Sequence, residues 1–542
     1  GRGSGKEEII EAVKTGRVSE SKLDHIVDRI ISIANRGEHT KESAKYDQEE
    51  HHKIAQKMAE ESIVLLKNED NILPIQDEKI ALMGDMAKYP RYQGAGSSTI
   101  NPYKIENAYD SFKENHIMFD YAKGYERIES ENDENLRKEA IEVAKKNKIV
   151  VIFAGLTENF ESEGVDRDNL NIPENQNKLI EEIYKVNKNI IIVLSNGAPI
   201  VMPWKDKVKA IITGYLGGEA GAKAMVNCML GKVNPSGKLA ETYPEKLEDT
   251  PCYKNYPGTE LTVEYQESIY VGYRYYDMNN VKVLFPFGYG LSYTEFEYSN
   301  LKVNEQESKV KVSFAIRNIG KRKGKEIAQI YLSQEDPTIF KPKKELKEFE
   351  KVELEVGEEK QVEIILNKKA FEYFNPETNK WSIEQGKYKI LVGKSSRDIV
   401  LEKEIFIESK DKNIEKKYSK KYYTGNVHEI KDEEFEELLG RNIPRRRLML
   451  EEITDENTLE QIKETKIGKL IYENEMEKMN QLLREQNVNK ATKVMMDLQK
   501  PLKKFYEKKS SKITKEMVEE LIRIAKNNED FLDNAFVKEY LR

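Results

Sequence analysis

The sequence predicts a multidomain chain: an α/β sandwich with a mostly parallel sheet, then an antiparallel β-sandwich, then a helical C-terminal extension. Three observations carry this. Short apolar runs alternate with helical stretches up to about residue 230, the apolar period becomes two from about residue 295, and residues 431–542 are helical in pattern and strongly charged. At 542 residues, about three to four domains of roughly 100–200 residues are expected.

Residues 6–36 read as two short helices, with Ser19 or Ser21 capping the second and Ile26, Ile30 and Ile33 on one of its faces. The spacing of Ile54, Met58, Ile63 and Leu66 predicts a third helix over about 47–67. Strands are then expected at 80–83, 149–153, 190–194 and 210–212, with helices at 136–147, 174–187 and 217–230 between them. Such alternation indicates a parallel sheet covered by helices. Pro173 stands where a first helical residue would be, and Gly231 where a helix would stop. In the period-two region Val310, Val312, Phe314 and Ile316 alternate with Lys311, Ser313, Ala315 and Arg317. Further strands at 327–332, 362–366 and 388–392 complete a sandwich of about 100 residues. A lysine-rich bridge at 409–421 leads into the charged helical segment, where Leu459, Ile462, Ile467, Leu470 and Ile471 are among the few apolar positions. Nothing in that segment points to chemistry.

Hydrophobic residues make up 38% of the chain, enough for real cores, and charged residues 34%. A net charge of −7, with Lys and Glu mixed along the length, argues against nucleic-acid binding and for a neutral small-molecule partner. Cys228 and Cys252 are too few for a disulfide framework or a thiolate zinc site, and the six histidines include no H-E-x-x-H spacing. No metal and no cofactor are therefore expected. No run of about 18 apolar residues occurs, so no membrane span is expected. The opening Gly-Arg-Gly-Ser-Gly run starts on Gly1 rather than Met. It reads as a purification scar or as the middle of a longer protein. A cytoplasmic location is expected, with a lost export signal as the alternative; oligomeric state is left open.

In open α/β sheets, ligands bind beyond the carboxyl ends of the strands. The strand at 149–153 is followed by a loop of about 18 residues, 155–172, a length that is usually functional or disordered. It holds Glu158, Glu161, Glu163, Asp166 and Asp168, with Arg167 the only base. Such a cluster suits proton transfer or hard-cation binding, and equally a solvated acidic loop. The alternating spacing of a calcium loop is missing. Gly94-Ala95-Gly96-Ser97-Ser98 lies about ten residues past its strand and lacks the third glycine of a phosphate fingerprint. A tight turn that lets backbone approach a ligand or another domain is the better reading. No G-x-S-x-G elbow occurs.

Several motifs together form a pattern. They are Glu61-Ser-Ile-Val-Leu-Leu-Lys-Asn-Glu69 with Leu73-Pro74-Ile75, Gln93-Gly-Ala-Gly-Ser-Ser98, and Glu163-Gly-Val-Asp-Arg167 with Pro173-Glu-Asn-Gln-Asn177. After them come Gly217-Gly-Glu-Ala-Gly221, Asn234-Pro-Ser-Gly-Lys-Leu239, Tyr270-Val-Gly-Tyr-Arg-Tyr-Tyr276 and Leu284-Phe-Pro-Phe-Gly-Tyr-Gly-Leu-Ser-Tyr293. In this order, over about residues 1–408, the chain resembles the C-terminal portion of glycoside hydrolase family 3 enzymes of the β-glucosidase type.

The resemblance implies the following organisation: 1–40, closing helices of a missing barrel and a linker; 41–255, the α/β sandwich with the acid/base loop; 256–294, a linker; 295–408, a fibronectin type III-like domain; 409–542, the charged helical extension. It implies retaining hydrolysis of terminal β-D-glycosides, with Glu163 as general acid/base. Asp166 and Arg167 would then position the loop, as acid/base partners or as an internal ion pair, and Glu161 is the alternative acid. In an extended loop Glu161 and Glu163 would point the same way. Glu163 is preferred because it directly precedes the Gly-x-Asp-Arg pattern. The acid needs a raised pKa, from burial or from the nucleophile's charge. Family members place a (β/α)8 barrel first, with the nucleophilic Asp in a Ser-Asp-Trp-like motif. Neither Trp204 nor Trp381 follows Ser-Asp, and no Lys-His pair exists, so the nucleophile is expected outside this chain, which alone would be inactive. Expected partners are a small β-glycoside or oligosaccharide and the missing barrel. The alternatives are a non-catalytic carbohydrate-binding or regulatory subunit and one half of a split enzyme.

Overall fold

The computed structural model describes residues 5–38, 46–76, 78–164, 166–306, 309–411, 417–485, 487–507, 512–529 and 535–540. Most of the opening Gly-Arg-Gly-Ser-Gly run, Val165 of the Glu163–Arg167 motif and residues 412–416 of the lysine-rich bridge lie outside the described residues. Two compact units emerge, Gly1–His51 and His52–Arg542.

In the first unit, α1 (Lys6–Lys14) and α2 (Glu20–Glu38) contain no buried residue. Ser19 rather than Ser21 caps α2, its Oγ accepting from the Lys22 amide at 3.3 Å. Ile26, Ile30 and Ile33 stand 47–68% exposed.

Most of α3 (Gln48–Ser62) belongs to the second unit, and here the expected helix over 47–67 is corrected. It stops at Ser62, and β1 (Val64–Asn68) follows. The helical spacing of Ile63 and Leu66 is coincidental. In extended backbone Val64 and Leu66 enter one core while Ile63 and Leu65 enter the other, so alternation buries all four.

β1 pairs antiparallel with β6 at the edge of a six-stranded sheet. The remaining strands are parallel: β2 (Ile80–Met83), β3 (Phe119–Ala122), β4 (Ile149–Gly155), β5 (Ile190–Ser195) and β6 (Ala210–Thr213), in spatial order β1-β6-β5-β4-β2-β3. Every residue of β4 and β5 is buried. Ile152, Ile192 and Leu194 pack on one face with α5 (Asp133–Lys145) and α6 (Glu174–Val186). Val151, Phe153 and Val193 pack on the other with α4 (Ala108–Glu114) and α7 (Gly221–Met229). Two covered faces explain why these strands read as unbroken apolar runs.

A linker carries the short strands β7 (Tyr243–Pro244) and β8 (Val283–Phe285) and α8 (Tyr273–Met278). The antiparallel sandwich follows. One sheet orders β13-β10-β9, from β9 (Phe296–Gln306), β10 (Lys309–Asn318) and β13 (Glu359–Asn367). The other orders β12-β11-β16-β17, from β11 (Gly324–Gln334), β12 (Glu345–Leu354), β16 (Gly386–Gly393) and β17 (Ile399–Ile407), and β14 (Glu372–Asn375) with β15 (Lys380–Ile383) makes a separate hairpin. The period-two residues Val310, Val312 and Phe314 pair with Leu366, Ile364 and Val362 and face the sandwich core.

The extension is more than a charged tail. After α9 (Lys420–Thr424) and α10 (Asp432–Leu439), the helices α11 (Lys466–Arg484), α12 (Val488–Leu498), α13 (Lys503–Tyr506), α14 (Lys515–Asn527) and α15 (Ala535–Tyr540) enclose their own core. Leu459, Ile462, Ile467 and Ile471 join Leu498, Leu502, Leu521 and Phe536 there, and Ile128 of the α/β domain packs against them.

Candidate active site

The chain leaves β2 for β3 on one side and then crosses to β4 on the other, so the strand order reverses between β2 and β4. A crevice outside the carboxyl ends of two such strands is where open α/β sheets bind ligands. Its walls are the glycine-serine loop after β2 and the acidic loop after β4.

The acidic loop is anchored at its far end by three buried amides of the Pro173-Glu-Asn-Gln-Asn177 motif. Gln176 Oε1 accepts from the Gly155 amide at 2.8 Å, closing the end of β4. Asn175 Nδ2 donates to Glu126 O at 2.9 Å, and Asn177 Oδ1 accepts from Trp204 Nε1 at 2.9 Å. Here α6 begins at Glu174, one residue past Pro173.

The loop's glutamates have separate fates. Glu158 takes both Nε and Nη2 of Arg127 at 3.2 Å. Glu161 is bound by Arg91, whose Nη1 donates to its Oε2 at 2.6 Å and whose Nη2 donates to its backbone oxygen at 2.8 Å. The Gly197 amide adds a third bond to the Glu161 carboxylate at 3.0 Å. Glu163 is exposed, and its carboxylate accepts from the Ser97 amide at 2.5 Å. A Cβ on Gly96, whose φ is +92°, would run into the Glu163 side chain, so glycine is required there.

Two expectations are corrected. Glu161 and Glu163 do not present themselves alike: a turn at Glu163 and Gly164, with Gly164 at φ +82°, breaks the extended path, and the two carboxylates have different partners. The Glu163 pKa is lowered rather than raised, because the Ser97 amide favours its charged form and the group lies open to water.

Asp166 and Arg167 do not form the internal ion pair considered above; among the described residues no such pair joins them. Asp166 accepts from Tyr256 Oη at 2.5 Å, which ties the loop to the linker. Arg167 Nη1 donates to Pro199 O at 3.0 Å, while burial lowers its pKa against the charges of Glu161 and Glu241.

Arg91 and Glu241 escaped the sequence reading. Five acids beside a single base imply cations supplied from elsewhere in the chain, and Arg91 sits just ahead of the glycine-serine loop. Its side chain is 1% exposed against 20% for Glu161. An Arg91→Leu variant, which strands that carboxylate and the Leu156 carbonyl, is expected to lose about 3–5 kcal/mol in denaturant unfolding. A loss under about 1 kcal/mol would show that the pair does not hold the loop.

The Glu241 carboxyl is pushed up to about 7, first by desolvation and then by the charge of Glu161, with Arg167 opposing. Its folded pKa exceeds the ordinary 4.5, so its contribution to stability is complete below about 4.5 and is lost as pH rises to about 7. Discounted for solvent screening at a half-buried site, the loss is about 1–2 kcal/mol. Glu241→Gln is expected to melt above the wild type at pH 8, with the gap closing below pH 4.5. A gap independent of pH would assign the effect to packing.

Residues 63–293 match the profile described as the glycosyl hydrolase family 3 C-terminal domain, and residues 326–396 match a fibronectin type III-like domain. Thermostable beta-glucosidase B of Acetivibrio thermocellus is 47% identical over 411 residues, covering 74% of this chain and 54% of that protein. Exo-alpha-(1->6)-L-arabinopyranosidase of Bifidobacterium breve is 40% identical over 407 residues, covering 72% and 54%. The crystal structure of a Bifidobacterium adolescentis GH3 beta-glucosidase superposes with a TM-score of 0.73 at 37% identity, covering 75% of this chain and 61% of that one. The chain thus spans about half the length of the curated relatives it matches.

Proposed function

This chain carries the C-terminal domain of glycosyl hydrolase family 3 with its fibronectin type III-like companion, and from that premise we propose that it supplies the general acid/base, Glu163, for retaining hydrolysis of terminal β-D-glycosides. One observation carries the assignment. Of the three loop glutamates, Glu158 and Glu161 are each neutralised by an arginine, whereas Glu163 is exposed and rests only on Ser97, through its backbone N–H and its side chain, among the described residues. A proton carrier must be free to reach the leaving oxygen while its loop stays fixed, and this loop is tied down by Glu158, Glu161 and Asp166 around Glu163.

Retention requires a second carboxyl group about 5–5.5 Å away as nucleophile. We place it on the N-terminal barrel implied by the family resemblance, outside this chain. The exposed Ile26, Ile30 and Ile33 of α2, and the exposed Ile54 and Met58 of α3, support contact with a further domain. Cys228 and Cys252 are free thiols, which fits a cytoplasmic place of action. Among the described residues no helix is long and apolar enough to cross a membrane. The deciding experiment compares Glu163→Gln on poor and on activated leaving groups, in a polypeptide that joins the barrel to this chain. Leaving-group dependence supports the role, and uniform loss contradicts it.

A further inference from the structure

A cavity of about 630 Å³ opens where the later half of α3, the segment after α7 and the turn between β10 and β11 meet, a size typical of small-molecule sites. Six cationic side chains and three carboxylates line it. The carboxylates are all engaged. Glu61 pairs with Lys325 and, at 2.6 Å, with Lys351, and Glu353 pairs with Lys323 at 2.6 Å. Glu60 Oε1 accepts from Gln56 Nε2 at 2.8 Å and from Asn227 Nδ2 at 2.7 Å. Lys53, Lys57, Lys232 and Arg322 remain. Among the described residues, no ion pair or side-chain hydrogen bond engages any of these four.

The backbone beneath these cations is fixed. Lys53 and Lys57 stand one turn apart on α3 and share a face. The Arg322 carbonyl accepts from Asn318 Nδ2 at 2.8 Å, and the Lys323 carbonyl from Asn234 Nδ2 at 3.0 Å. Asn234 opens the Asn234–Leu239 motif, and its Oδ1 accepts from the Tyr293 amide at 2.8 Å. Gly231, at φ +69°, leaves room for the Arg322 guanidinium, because a Cβ there would lie 3.1 Å from Nη1. Free carbonyls at the end of α7 would repel an anion. Here the carbonyls of Val226, Asn227, Cys228 and Met229 each accept a backbone N–H, which removes that obstacle.

Four unpaired like charges around one cavity repel each other and focus a positive potential into it. Ammonium and guanidinium groups suit phosphate oxygens. A single phosphate group brings about two negative charges, half of what four cations can neutralise. We propose that this cavity binds a small molecule carrying two or more phosphate groups, at the junction of the α/β domain and the fibronectin type III-like sandwich. The site does not depend on the role of Glu163, since no residue of 155–172 lines it.

The test is isothermal titration calorimetry of the 542-residue chain with pyrophosphate and, separately, inorganic phosphate, near neutral pH in about 0.15 M salt. Pyrophosphate is expected to bind with a Kd of about 0.1–1 mM, and phosphate about 10-fold more weakly. Arg322→Gln and Lys57→Gln, at exposed positions, should each weaken pyrophosphate about 5-fold and keep the wild-type unfolding temperature. Lys138→Gln, on the exposed face of α5, should bind as the wild type does. No heat from about 10 mM pyrophosphate, or equal affinity for the two anions, overturns the proposal. So does a loss shared by Lys138→Gln, which would mark attraction to general surface charge, or no loss in Arg322→Gln and Lys57→Gln.

Discussion

Glu163→Gln, in a polypeptide that joins the barrel to this chain, is expected to lose about 10²–10⁴-fold in turnover on glycosides with poor leaving groups. This corresponds to about 3–5 kcal/mol of barrier. Alkyl glycosides and disaccharides release a strongly basic oxygen and need a proton in the transition state. Activated aryl glycosides leave as stable phenolates, so their cleavage should fall far less. For them the later step suffers instead, because water no longer meets a general base. Azide, which needs no deprotonation, should then restore turnover on the activated substrates. Equal loss on both substrate types, with no rescue, would make Glu163 a structural residue.

The carboxylate's resting state bears on this expectation. In this chain Glu163 is held in its charged form by the Ser97 amide. To act as an acid it must carry a proton, and two changes favour that: loss of the Ser97 hydrogen bond and the approach of a second carboxylate. Both would accompany docking of a nucleophile-bearing domain and substrate. The proposed role therefore requires the Ser97 hydrogen bond to Glu163 to break when the centre is complete.

Much of this architecture could be read before any coordinates. The parallel strands announce themselves because both faces of β4 and β5 are buried, leaving no polar alternation to confuse them with surface strands. β10 was equally legible, since one of its faces looks into the sandwich core. β1 was not: Ile63 and Leu66 lie three apart, a spacing shared by a helix face and a doubly buried strand, and only the pairing with β6 decides. The extension's core was obscured because its apolar residues are scattered from Ile453 to Phe536 and meet only after the helices fold back.

For the site, the acidic loop itself was visible as a dense cluster of acids after β4, while the choice of Glu163 within it rested on the family resemblance. The groups that distinguish Glu163 from Glu161 were not visible. Arg91 lies seventy positions before Glu161, and Tyr256 ninety after Asp166. Such partnerships carry no spacing rule, so only the fold brings them together.

The largest effect expected is that of the barrel itself. In the proposed division of roles Glu163 moves the proton and the barrel supplies the nucleophile, and no covalent step is available without the latter. Adding the barrel should therefore move activity from background to ordinary enzyme rates, roughly 1–10³ turnovers per second, a larger change than any single substitution in this chain can produce.

The most direct measurement is release of nitrophenol from p-nitrophenyl β-glucoside by the purified 542-residue polypeptide, assayed alone and joined to the barrel. Turnover confined to the joined protein is the result predicted here. Rapid hydrolysis by the 542 residues alone, abolished by a substitution elsewhere in the same chain, would contradict the assignment of Glu163 to a centre shared with another domain.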